Sequence, residues 1–443
     1  MQWNYEQALT AEGWRRDVAV SIDAAGLITN VAPDSPGVGT PVKGAAVPGV
    51  ANAHSHAFQR ALVGLTEHRG AERDSFWTWR EAMYRLAATI TPEDLNAIAV
   101  QLYVEMLKGG YTAVCEFHYL HQAPIGGRAM GQAVIDAAAR TGIDLTLLPT
   151  LYMTSDFGGA APNEGQKRFV HSVEDFLRLR GDLQADGVVM GTAIHSLRAV
   201  PPAALAQLLA GLEGDSPIHI HIAEQRKEVE RCLEVTGARP VEWLLANAAV
   251  DSRWNLVHAT HVVETEMAGI RAAGATVVLC PTTEANLGDG VFPAEAHLSA
   301  SGSISIGSDS HVSVNLAEEL RLLEYGQRLI TGERNVLSSV GEPHTGVRLH
   351  KAAAAGGARS SGRATGVIAP GTRADIVVLD TDAAALFGRE GDNVLDAWVF
   401  GGFADPVKDV MVGGVWRIIG GRHGREDEIA DAYRAAISRL KSV

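Results

Sequence analysis

The chain has 443 residues, of which 46% are hydrophobic, 20% charged and 6% aromatic. That apolar content excludes an intrinsically disordered chain, and three cysteines in such a length exclude a disulfide scaffold. The 52 acidic residues against 38 lysines and arginines leave a formal charge of −14, the wrong sign for a nucleic-acid or anionic-membrane partner. A few arginines in a pocket can still hold a small anion.

The amino-terminal MQWNYEQALTAEGW has neither a basic start nor an apolar core, and no run of about 18 apolar residues follows anywhere. No secretory leader and no membrane span are therefore expected, and the cytoplasm is the expected address. Cys115, Cys232 and Cys280 stand apart from one another and read as buried, reduced thiols.

Residues 1–46 alternate in short stretches such as Val18–Ile22 between Gly- and Pro-rich turns, the texture of a small antiparallel sheet. A strand-like AAVPGVANA then runs into His54-Ser55-His56. Further strands are predicted at Thr112–Glu116, Asp144–Pro149, Gly187–Ile194, Ile218–Ile222, Trp254–Val257, Thr276–Leu279 and Ser303–Ile306. Helix-like periods separate them, as at Asn96–Lys108, Ala203–Leu212 and Pro240–Ala248. Strands alternating with helices over residues 48–364 imply parallel pairing, and a closed (β/α)8 TIM barrel suits the length better than an open sheet. No Gly-x-Gly-x-x-Gly turn follows the first strand.

Beyond residue 364 the β texture returns in Gly366–Ile368, Ala374–Asp380 and DVMVGGVWRII, the last reading as a hairpin about Gly413-Gly414. Residues 1–47 and 365–421 are thus expected to pair as one small β-sandwich domain built from both chain ends. A C-terminal helix is expected over 422–443, with Ile429, Tyr433, Ile437 and Leu440 near one face. Docking through that tail would make a homodimer.

Several predicted strands end on groups that bind metals or move protons. His54 and His56 project from one side of an extended strand. His219 and His221 do the same on a second strand, with Glu224 just beyond; His258 ends a third and Asp309 a fourth. His195 ends another, with Arg198 three residues later. Barrel enzymes place their chemistry at the carboxyl ends of the strands, where these groups would converge. Two histidines from one strand, one from another and Asp309 form a mixed nitrogen and oxygen set that suits Zn2+, with Fe2+ or Mn2+ also admitted. Bound water would become hydroxide near neutral pH. Asp309 could bind the metal and accept the water's proton, leaving Glu224 and His258 to transfer protons and polarise the electrophile.

These residues in this order resemble the amidohydrolase superfamily. Pro48–His56 is similar to its first-strand signature, and His221-Ile-Ala-Glu224, His258 and Ser308-Asp309 to its mononuclear deaminase branch; Gly366–Asp380 is similar to its terminal sheet segment. The resemblance covers essentially the whole chain. It implies one metal held by His54, His56, His221 and Asp309, with His219 secondary. Within the branch, His54–Leu62, Phe76–Arg80, Glu116–Tyr119 and His195–Arg198 resemble the deiminases of linear amidines that act on N-formimidoyl-L-glutamate. The implied reaction is attack of metal-bound hydroxide on the formimidoyl carbon, giving N-formyl-L-glutamate and ammonia, a step of histidine degradation.

Such a dicarboxylate needs fixed positive donors, and Arg80 and Arg198 are the candidates, with Gln59, Tyr119 and His195 as hydrogen-bond partners. His118, His121, His261 and His311 would support the site, and His68–Leu86 could form a lid. Two other readings stand beside this one: a deaminase or chlorohydrolase of a purine or triazine-type ring, and a non-catalytic barrel kept as an assembly module.

Overall fold

A computed structural model describes residues 1–68, 76–121, 127–402 and 406–441, with the side chains of residues 76–78 also outside the description. Eight parallel strands follow the order of the chain: Val50–Ser55, Tyr111–His118, Asp144–Leu151, Thr192–Ile194, Ile218–Ile222, Trp254–His258, Thr276–Leu279 and Ser303–Ile306. Most of their residues are buried, because helices cover the outer face and side chains fill the interior. That is why these strands read as unbroken apolar runs. The sheet closes where the first strand meets the turn after the last. Ser55 bridges Asp309, and His54 O accepts from the N–H groups of Ser308 and Asp309 at 3.2 and 3.0 Å.

The helix Thr345–Ser361 covers this seam from outside, against both Val50–Ser55 and Ser303–Ile306. Its Gly356 lies so near the last strand that an added Cβ would stand 1.8 Å from Ile304 O. At the other end of the barrel the Ser360 carbonyl accepts from His219 Nε2 at 2.9 Å.

The chain ends form a second, eight-stranded sheet in the order Arg422–His423, Val415–Ile419, Val407–Val412, Ile376–Leu379, Thr40–Pro48, Gln2–Thr10, Gly13–Ile22 and Ile28–Ala32. It is antiparallel except where Gln2–Thr10 runs beside Thr40–Pro48. One face closes on a small core that includes Tyr5, Val18, Val20, Ile28, Ile376 and Met411; the other adds Leu9, Val47, Val377 and Val410 to the barrel's core. The sandwich expected of the chain ends is thus one continuous hydrogen-bonded sheet with apolar contacts on both faces. Gly49 divides the strand-like run AAVPGVANA between the two sheets, its N–H donating to Asp375 O at 2.9 Å.

Several expected boundaries shift, two of them with a cause visible in the packing. The stretch 187–194 is two short strands, Val189–Met190 and Thr192–Ile194, on either side of Gly191, where a Cβ would meet Leu148 at 2.4 Å. The tail helix begins at Glu426 rather than 422, since Arg422 and His423 pair with Ile419 and Ile418 as a last strand. Its Arg439 holds Asp94, the buried acid in the first turn of Pro92–Lys108. No helix among the described residues is long and apolar enough to cross a membrane.

Gly356→Ala sets helix propensity against packing. Alanine should gain roughly 1 kcal/mol in a free helix, but here the clash with Ile304 O should win and cost about 1–3 kcal/mol. A thermal melt is expected to show a lower Tm; an unchanged or raised Tm would mean the seam is not closely packed.

Candidate active site

At the barrel mouth the imidazoles of His54, His56 and His221 face one another. His221 Nε2 lies 3.0 Å from His54 Nε2 and 3.3 Å from His56 Nε2, and Asp309 Oδ1 is 3.4 Å from both His54 and His56 Nε2. Backbone carbonyls fix two of the rings: His56 Nδ1–H donates to Phe117 O at 2.8 Å and His221 Nδ1–H to His195 O at 2.9 Å. Burial holds all three imidazoles below their usual pKa and hence neutral. The Nε2 atoms of His56 and His221 therefore present lone pairs to each other, and neither can donate. A cation between them removes that conflict. Neutral imidazole nitrogens with a carboxylate oxygen are a donor set that fits zinc or iron.

The structure brings the other expected residues to the same mouth. His258 Nε2 lies 3.8 Å from Glu224 Oε1 and 3.8 Å from Asp309 Oδ2. Ala223, His258 and Asp309 have φ of +52°, +68° and +47°, a left-handed backbone that non-glycine residues adopt at roughly 1–3 kcal/mol where surrounding structure enforces it. Burial pushes the Glu224 carboxyl up to about 7. For His258 burial works against the charged form, but Glu224, a hydrogen bond to Glu284 and Asp309 outweigh it and push the imidazole up to about 10. Cys280 also reaches this neighbourhood, but burial holds its thiol well above its usual value and so protonated. His219 faces away, bonded to Ser360 O at the opposite barrel end.

Above these groups opens a cleft of about 660 Å³, including its mouth. Gln59, Arg80, Tyr119, His195 and Arg198 all line it, together with His56, His221, Glu224, His258 and Asp309. Gln59 Nε2 donates to the Tyr119 hydroxyl at 2.8 Å. Arg80 lies over the Tyr84 ring at 5.5 Å; burial, and then Arg198 nearby, pull its guanidinium below its usual pKa, against the opposing effect of Tyr84. The cleft therefore holds both signs of charge, with Arg198 close enough to lower the pKa of Glu224 and Glu228, and Arg80 close to Arg198.

Of the four supporting histidines, His311 is placed directly: its Nε2 accepts His56 N–H at 3.1 Å while Nδ1 meets Ser308 Oγ at 2.9 Å. His118 and His121 pack edge to face behind the strand ends, and His261 does not line the cleft. Of the expected lid, residues 69–75 lie outside the described residues, and Phe76–Thr89 forms a helix carrying Arg80.

Sequence reasoning missed Tyr152 and Glu228, which line the cleft, and Glu284, which accepts from His258. Glu228 takes the N–H groups of Ala223 and Glu224 at 3.1 and 3.0 Å, bracing the left-handed turn. An acid one helical turn beyond Glu224 was its available signal. Tyr152 carried none, since it follows a strand as any core aromatic can.

The chain belongs to the amidohydrolase family, which it matches over residues 45–417. It is 48% identical, over 98% of both chains, to the formimidoylglutamate deiminase of Pseudomonas aeruginosa. An amidohydrolase from Brucella melitensis, solved by crystallography, superposes with a TM-score of 0.94 at 44% identity, covering 99% of each chain. An adenosine deaminase from Xanthomonas campestris with bound zinc shares the fold, with a TM-score of 0.82 at 22% identity over 100% of this chain and 98% of that one.

Gly307 backs His54 so closely that an added Cβ would stand 2.6 Å from His54 Cβ and 2.8 Å from its N. Gly307→Ala is expected to displace that imidazole and weaken uptake of one equivalent of Zn2+ by at least about tenfold, the cost of disturbing a ligand's support. Calorimetric titration of chelator-treated protein checks it. Uptake equal to the parent chain would show that this ring does not hold the ion.

Proposed function

We propose that this chain is a formimidoylglutamate deiminase: it hydrolyses N-formimidoyl-L-glutamate to N-formyl-L-glutamate and ammonia. The observation that carries the reading is the pair Arg80 and Arg198 in the same cleft as the His54, His56, His221 and Asp309 cluster. A substrate with two carboxylates calls for fixed guanidinium donors beside the metal site, and the full-length likeness to the Pseudomonas aeruginosa deiminase supports the reading. Those four side chains would hold a divalent cation, Zn2+ by preference and Fe2+ as the alternative, which would make a water molecule acidic enough to attack at neutral pH.

The chain's own groups do the rest. Arg80 and Arg198 hold the two carboxylates, and Gln59, Tyr119 and His195 fix the chain between them by hydrogen bonds. This presents the formimidoyl carbon to the attacking oxygen. Asp309 takes the proton of the attacking water. Glu224, with a pKa of about 7, can give and take a proton near neutrality, which suits it to protonate the departing nitrogen. His258 polarises the amidine and stabilises charge on the tetrahedral adduct. The C–N bond then breaks, and nitrogen leaves as ammonia.

The reading takes residues 48–364 as the catalytic unit and the two chain ends as its supporting sheet. It places the protein in the cytoplasm, acting on a small metabolite as a homodimer, although the apolar face of the tail helix is taken up by the chain's own core.

Ammonia release measured across formimidoyl amino acids, with metal analysis on the same sample, tests the substrate. Arg198→Met should lower kcat/KM for N-formimidoyl-L-glutamate by about 10- to 100-fold, the worth of charge-assisted hydrogen bonds, with metal content unchanged. Undiminished activity would remove Arg198 from the substrate site. Asp309→Asn should lower turnover by more than about 100-fold; full activity in that variant would contradict its assignment.

A further inference from the structure

The reaction above leaves the buried acid Glu284, beside the cleft, without a task. Glu284 is 5% exposed and stands on the short helix Pro281–Leu287. Its Oε1 accepts the Cys280 N–H at 2.9 Å and the His258 Nδ1–H at 3.2 Å. The residues before it are pinned on two sides. Thr282 donates through N and Oγ1 to buried Glu319 at 2.9 and 2.6 Å. Thr283 Oγ1 accepts Ser310 N–H at 3.2 Å and meets Ser310 Oγ at 2.9 Å. The carboxylate is therefore fixed relative to the turn that carries Asp309.

His258 needs such a tether. In its strand, Val257 packs with Ala53, Val278 and Cys280, so strict alternation would send the next side chain to the opposite face. The φ of +68° breaks the alternation and turns His258 into the mouth. An imidazole on a strained backbone can flip about χ2, putting Cδ2 where Nδ1 was and Cε1 where Nε2 was, unless a nitrogen is held. A carboxylate is an acceptor only, so it holds the N–H edge of the ring and excludes the flipped orientation.

We propose that Glu284 is a positioning residue for the deimination. By taking the Nδ1–H of His258, it keeps Nε2 turned toward Glu224 and Asp309. The inference rests on the function proposed above for the role of His258, while its geometry can be tested without substrate.

Glu284→Gln retains the shape but can offer N–H where only an acceptor stood. It should lower kcat on N-formimidoyl-L-glutamate by about 10- to 100-fold, as loss of an orienting partner does, while KM and metal content stay near those of the parent chain. In a His258→Asn background the same change should cost less than about twofold, because the partner it acts through is gone. Loss by the same factor in both backgrounds, or a parental kcat in the single variant, would overturn the proposal. If Glu284→Gln fails to fold, Glu284→Asp, which keeps the charge but withdraws the acceptor, is read in the same way.

Independently of turnover, 15N-histidine-labelled protein should show a hydrogen-bonded Nδ1–H resonance for His258, identified by its absence in His258→Asn and lost in Glu284→Leu. Its persistence in Glu284→Leu would overturn the proposal whatever the substrate proves to be. Failure of the parent chain to release ammonia would count against the deiminase reading alone.

Discussion

The mouth of the barrel is organised by a conflict between lone pairs. Phe117 O and His195 O hold the Nδ1–H groups of His56 and His221, so two neutral Nε2 atoms face each other at 3.3 Å with no proton between them. Packing such groups without a cation costs desolvation and returns no hydrogen bond. Much of the nearby structure serves to keep the rings there: the His54 carbonyl receiving Ser308 and Asp309, His311 under the His56 backbone, and the turn braced by Glu228. The same contacts close the barrel, so the seam of the fold and the centre of the site are one place.

A second constraint is electrostatic. The net charge of −14 belongs to the chain as a whole, whereas the cleft sets two guanidinium groups beside its carboxylates. Arg80 and Arg198 stand near each other, and burial together with that repulsion pulls the Arg80 pKa down. Glu224, Glu284 and Asp309 stand about His258.

Much of this was legible in the amino-acid order. Ile218–Ile222, Thr276–Leu279 and Ser303–Ile306 are strands over the residues expected, because each is buried on both faces and bounded by polar turns. The cluster His54, His56, His221 and Asp309 was legible as strand-end chemistry, since parallel barrels bring all carboxyl ends to one face. What stayed hidden depends on contacts far apart in the chain. Glu284 reaches His258 across 26 residues, and nothing local marks it. The inward turn of His258 comes from a φ that periodicity contradicts. The tail helix starts late because Arg422 and His423 find a neighbouring strand, a pairing invisible to helical period.

X-ray absorption at the metal edge of the purified holoprotein tests the central claim most directly. One divalent ion per chain is expected, with nitrogen and oxygen neighbours at about 2.0–2.2 Å, three of them imidazole, and no sulfur. A sulfur neighbour at about 2.3 Å would shift the ion toward Cys280, and a protein without a bound ion would leave the facing lone pairs unexplained; either result would contradict the account.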